Sequence, residues 1–154
     1  YIVVNVLLYI TVGIEEELMF RSFVTECVLR KNSNIIVFAS VYSGLLFGLA
    51  HITNFIFDAD MTMFNKWCTM IMACVFGFTL AVIFLKTKSI GAVITLHFLW
   101  DFADFMNHMM IVERYRYGGS YNALALQIPV LIVMLVIAVF VCINKSAWEC
   151  KQCF

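Results

Sequence analysis

Ten ionisable side chains stand inside runs of apolar residues. They are Glu15, Glu16, Glu17, Arg21 and Glu26 near the start, His51 further on, and His97, Asp101, Asp104 and His108 later. Such groups are rare in apolar spans, face the interior of a bundle and mark functional sites. Their spacing sorts them. Glu17 and Arg21 are four apart and share a helix face, so they can pair. Glu16, turned by about 100° from Glu17, is free to face elsewhere. His97 and Asp101 also share a face, and Asp104 and His108 extend nearly the same stripe. Glutamate, histidine and aspartate in this setting suit two kinds of chemistry. One is hydrolysis of an amide, which needs a base for water, a proton donor for the leaving amine and donors aimed at the oxyanion. A carboxylate in a low-dielectric site is a competent base near neutral pH. The other is a proton relay through a membrane.

The elements that must hold these groups are membrane spans. The chain is 154 residues long, 64% hydrophobic and 13% charged, with a mean hydropathy of +0.96. Soluble domains average about 45–50% apolar and about 25% charged residues. Ten basic and ten acidic residues cancel, and the missing basic excess excludes a nucleic-acid binder. The reading is an all-α, polytopic helix bundle. Five apolar segments are long enough to span, at about 1–29, 35–57, 64–85, 90–112 and 124–143. The first is long enough to bend near Gly13. Pro129 stands near the start of the fifth, where neighbours tolerate a kink. The third and fifth carry essentially no ionisable groups and read as walls. The core therefore runs over 1–144, followed by a short tail, 145–154. The chain opens on apolar residues beginning with Tyr1, which suggests the C-terminal part of a longer protein.

Six basic residues flank one side of these spans (Arg30, Lys31, Lys86, Lys88, Lys145 and Lys151) and three the other (Lys66, Arg114 and Arg116). Positive charge marks the cytosolic side, so the C-terminus is expected there. At about 1.5 Å per residue from that side, Glu16 lies roughly 20 Å deep, His51 roughly 24 Å, His97 roughly 12 Å and Asp101 roughly 18 Å. Glu16, His51 and His97 are thus expected to meet in one cavity opening toward the cytosol. Glu26 reads as interfacial, Glu15 as snorkelling or facing a loop, and Asp104 and His108 as solvated or capping. Four of the six cysteines lie in apolar stretches, where a thiol behaves as a small hydrophobe. Cys150 and Cys153 form a CxxC that supplies only two metal ligands. Nothing marks Ser22 or Ser43 as an activated nucleophile.

Three motifs carry a family resemblance. Glu16-Glu17-Leu18-Met19-Phe20-Arg21 reads EExxxR, Phe47-Gly48-Leu49-Ala50-His51 reads FxxxH, and His97-Phe98-Leu99-Trp100-Asp101 reads HxxxD. In that order, on three spans within 13–112, they resemble the CPBP intramembrane proteases. That family, also called the ABI or CAAX-protease family, includes the Ras-converting CAAX endoprotease. The resemblance implies an intramembrane endopeptidase acting on membrane-associated or lipidated proteins or peptides, in CAAX-type processing, bacterial peptide maturation or bacteriocin immunity. It implies that Glu16 and His51 activate water, that Glu17 and Arg21 support the site, with Phe47 opening the FxxxH motif, and that His97 and Asp101 stabilise the oxyanion. Aspartate at position 101 departs from the asparagine of the prenyl-protein proteases and occurs in bacterial members, which points to a prokaryotic plasma membrane. An ionised aspartate cannot donate a hydrogen bond, so Asp101 either carries a proton or orients His97.

No HExxH is present, so a zinc site would need ligands from three helices. Glu16, His51 and His97 could then hold Zn2+ with an open position for water. The same groups working without metal are the preferred expectation. The implied partners are the lipid bilayer and a peptide or lipidated protein substrate, with no nucleic acid. Two other functions compete: a proton-coupled transporter, against which stands the lack of an inverted repeat, and a non-catalytic scaffold or immunity protein that keeps the fold.

Overall fold

The computed structural model describes residues 2–31, 36–57, 59, 62–116, 129 and 132–140. Half of the expected fifth span, the 145–154 tail with Cys150 and Cys153, and the side chain of His108 lie outside the described residues. The described elements are helical throughout. They are α1 (Ile2–Glu17), a π-helical segment π1 (Leu18–Thr25), α2 (Glu26–Lys31), α3 (Ile36–Ala50), α4 (Thr53–Phe57), α5 (Met63–Thr87) and α6 (Ile90–Arg116), with a further helical stretch at 132–140.

Two stretches, Val37–Phe57 and Met63–Thr87, are long and apolar enough to cross a membrane by length and composition. The outward faces are greasy. Ile2, Val3, Val4, Leu7 and Leu8 of α1 and Ile71 of α5 are all exposed. In water such a surface would be a liability, whereas in a bilayer it faces lipid. The chain is an integral membrane helix bundle.

Helices in lipid gain little from burying apolar surface against each other, so small residues that allow close packing decide which ones associate. Gly44 and Gly48 make such a pair on α3. A Cβ at Gly44 would stand 2.6 Å from the Phe78 nitrogen and 2.8 Å from the Cys74 oxygen, and one at Gly48 would collide with the Cys74 sulfur. The α3 and α5 backbones thus pack with no room for a side chain, and they run antiparallel. The core fills in around this seam with Phe20, Phe47, Ala73, Phe76, Leu80, Phe84, Leu85 and Val93. α1 packs antiparallel to α6, with Tyr9 5.8 Å from Phe105 between ring centres.

The turn between α5 and α6 is tight. Lys88 adopts the left-handed conformation, φ 53°, and its N–H donates to the Phe84 carbonyl at 2.7 Å. Ser89 then caps α6, its hydroxyl accepting from the Ala92 N–H at 3.2 Å. This hairpin puts α5 and α6 side by side and brings α6 into the gap between α1 and α5.

Three expectations need correction. The first segment does not bend at Gly13; α1 runs through that residue, which packs on Ile94, His97 and Phe98 of α6. The change of winding comes after Glu17, where the α-helix gives way to π1. The second segment is not one helix either, because α3 ends at Ala50 and His51 and Ile52 form a turn before α4. Lys66, assigned to a link between spans, instead lies buried in the first turns of α5. It donates to the Phe55 carbonyl at 3.3 Å, where the C-terminal end of α4 offers unpaired oxygens to a cation.

Candidate active site

The site lies where α1, π1, α3 and α6 meet, and it is organised around His97. This side chain is 4% exposed. Its ring is fixed by two edge-on aromatic contacts, with Phe76 at 5.3 Å and Phe47 at 5.6 Å between centres. Its Nδ1 donates to Glu17 Oε1 at 2.8 Å. The partner is a carboxylate already beside Arg21, so the proton of this hydrogen bond belongs to the imidazole. The Nε2 atom is thereby aimed at the working side, 3.5 Å from Glu16 Oε2 and 3.6 Å from Asp101 Oδ2. Those separations are long for direct hydrogen bonds and leave room for a small reacting group.

Behind His97 stands the expected ion pair. Arg21 Nε lies 2.9 Å from Glu17 Oε2, and both side chains are 0% exposed. The guanidinium also sits over the Phe47 ring, 4.8 Å from its centre, a cation–π contact in a desolvated setting. Nevertheless Nε is not aligned for a hydrogen bond with Oε2, and Nη1 and Nη2 have no hydrogen-bond partner in the structure either. Arg21, Glu17 and His97 form a relay of fixed orientation: guanidinium to carboxylate to imidazole.

His51 sits in the turn after α3, half-buried, and its Nδ1 donates to the Phe47 carbonyl at 3.0 Å. A carbonyl only accepts, so in the neutral ring the lone pair is on Nε2, the form of a base. Phe47 thus contacts the site three times: under Arg21, against His97 and, at 5.2 Å, against His51.

A pocket joins the two histidines. It has a volume of about 190 Å³ and is lined by Phe47, His51, Thr69, Met72, Ala73, Phe76, His97, Trp100, Asp101 and Asp104. Asp101, at 22% exposure, lies at its wall within electrostatic reach of Glu16, His51, His97 and Asp104. Glu16, at 34% exposure, adjoins this space through His97 and is not itself a lining residue. His51, His97 and Asp101 therefore share one cavity, with Glu16 at its margin. The lining comes from the middle of α6, the N-terminal part and middle of α5 and the far end of α3. The cavity thus lies toward the end of α5 that carries Lys66 and away from Lys86 and Lys88.

Sequence reasoning missed the Glu17–His97 contact and, although it read the third segment as a wall, did not single out Thr69, Met72, Phe76 and Trp100 as pocket lining. Among the described residues no group of three or more His, Cys, Asp and Glu side chains is arranged to hold a metal ion. Glu15 is exposed on α1, and no contact ties it to the cluster.

The model of one protein family, described as Rce1-like, type II CAAX prenyl endopeptidase Rce1-like, matches residues 1–103. That span holds all three motifs and every site residue named above except Asp104. No curated protein and no solved structure gives a match.

Proposed function

We propose, from the premise that this chain belongs to the Rce1-like family of type II CAAX prenyl endopeptidases, that it hydrolyses a peptide bond of a lipidated or membrane-associated substrate in the pocket between His51 and His97. The observation that carries this reading is the placement of His97 Nε2 between Glu16 and Asp101, with Nδ1 held by Glu17. An imidazole so oriented has one nitrogen locked and the other presented to a reacting atom.

In this reading Glu16 and His51 activate a water. Its oxygen attacks the scissile carbonyl carbon and its proton passes to Glu16. His97, as an imidazolium, keeps one N–H on Glu17 and offers the other to the developing oxyanion. Asp101, when it carries a proton, is a second donor to that oxygen; when ionised, it orients His97. Collapse of the tetrahedral intermediate breaks the C–N bond, and the leaving amine takes the proton from Glu16. Arg21 and Phe47 touch no reacting atom; they hold Glu17 and the two histidines in register. The walls formed by Met72, Phe76 and Trp100 offer an apolar lining for substrate side chains or a lipid. The reading also keeps a prokaryotic plasma membrane and a cytosolic C-terminus.

The scheme runs without metal, and that has a direct test. Purified protein in liposomes containing a prenylated CAAX peptide should release the C-terminal fragment, identified by mass. The rate should be unchanged after exhaustive chelation, with metal content measured on the same sample. Activity that vanishes with chelation and returns with zinc would make Glu16, His51 and His97 metal ligands instead.

A further inference from the structure

The catalytic groups are divided between two halves of the bundle. Glu16, Glu17, His97 and Asp101 belong to the α1–α6 pair, whereas Phe47, His51 and much of the pocket wall belong to α3 and α5. If Glu16 and His51 act on one water, the two halves must be held in a fixed phase. Beside the α5–α6 hairpin and the Phe47 and Phe76 contacts with His97, one link between them runs through π1. The Phe20 carbonyl accepts two buried hydroxyls, from Thr25 at 2.8 Å and from Ser43 of α3 at 3.0 Å. Thr25 is five residues beyond Phe20, the separation that a π turn brings into line. In an α-helix the carbonyl of residue 20 would instead be taken by the N–H of residue 24. Both hydroxyls and the Arg21 side chain are fully buried, and the Phe20 ring meets Phe47 edge-on at 5.2 Å. The doubly accepted carbonyl therefore sits one residue before Arg21 and one ring contact from Phe47.

We infer that Thr25 and Ser43 are positioning residues for the reaction: their hydroxyls on the Phe20 carbonyl hold the π winding, and that winding sets Glu16 and Glu17 in phase with His51. This rests on the endopeptidase reading of the same site. Neither residue touches the pocket, so substrate binding is independent of them. An orientation error transmitted to a reacting pair costs turnover, on the order of 10- to 100-fold for a shift near 1 Å.

The test compares Ser43→Ala and the double variant Ser43→Ala/Thr25→Val with Ser43→Thr and Thr25→Ser, which keep a hydroxyl. Turnover per folded molecule and KM for the prenylated peptide are read in liposomes. The expected result is a fall in kcat of about 10-fold or more for the variants without the hydroxyl, an unchanged KM, and near wild-type kcat for the two conservative variants. A second measurement does not depend on turnover or on a disabled variant folding. Isotope-edited infrared spectroscopy of wild-type protein carrying a ¹³C-labelled Phe20 carbonyl should show a band shifted to low frequency by the extra hydrogen bonds, retained in Thr25→Ser. An ordinary helical band in the wild type overturns the clamp whatever the activity. So does a loss confined to stability with kcat intact. A low-frequency band in a wild type that cleaves no peptide would leave the clamp standing as structure and defeat the enzymatic reading on which its positioning role rests.

Discussion

Arg21→Ala should cost the bundle about 3–5 kcal/mol, because it leaves the Glu17 carboxylate buried without its cation. Glu17 and Arg21 are both 0% exposed and 2.9 Å apart, so neither can turn to solvent when the other is removed. The guanidinium also fills the space over the Phe47 ring, and alanine would leave a void beside the residue that contacts both histidines. The expected outcome is a lower folded yield and an earlier unfolding transition in detergent, with activity falling in step. Arg21→Lys should recover only part of the loss, since an ammonium keeps the charge but not the flat face over the ring. An Arg21→Ala protein that is fully stable yet inactive would reassign this arginine to substrate binding.

His97→Ala should have the largest catalytic effect of any change outside the water-activating pair. It removes the donor offered to the oxyanion, typically worth about 10²–10³ in kcat, and it takes from Glu17 the hydrogen bond that Nδ1 provides. Steady-state kinetics on the folded fraction should show the loss in kcat with little change in KM, because the donor acts mainly when negative charge develops. A defect seen only in KM would place His97 in substrate binding and remove it from the oxyanion role.

What could be read in the sequence was what lies within one helix. The Glu17–Arg21 pair follows from a spacing of four, and the shared face of His97 and Asp101 from the same rule. The close seam of α3 and α5 was not read, although Gly44-Leu45-Leu46-Phe47-Gly48 is a small-xxx-small spacing on an apolar segment. The Glu17–His97 hydrogen bond was hidden because its partners are 80 residues apart, and their meeting depends on how α6 is placed by the turn at Lys88. The π winding was hidden for another reason. Residues 18–25 read as an apolar helix in either winding, and the decision rests on where the hydroxyls of Thr25 and Ser43 find an acceptor. The turn at His51 left only a faint mark, in Thr53, whose hydroxyl reaches back to the Ala50 carbonyl at 3.2 Å.

The most direct test of the account sets two neighbouring glutamates against each other. Glu16 lies 3.5 Å from His97 Nε2, whereas Glu15 is exposed and takes no part in the cluster. Wild type, Glu15→Ala and Glu16→Ala, matched for folded protein in the same liposomes, should be assayed for cleavage of a prenylated CAAX peptide. The account predicts that Glu15→Ala cleaves at the wild-type rate and that Glu16→Ala loses about 10²–10⁴-fold, the usual worth of a general base. Equal cleavage by wild type and Glu16→Ala, or none by the wild type, would contradict it.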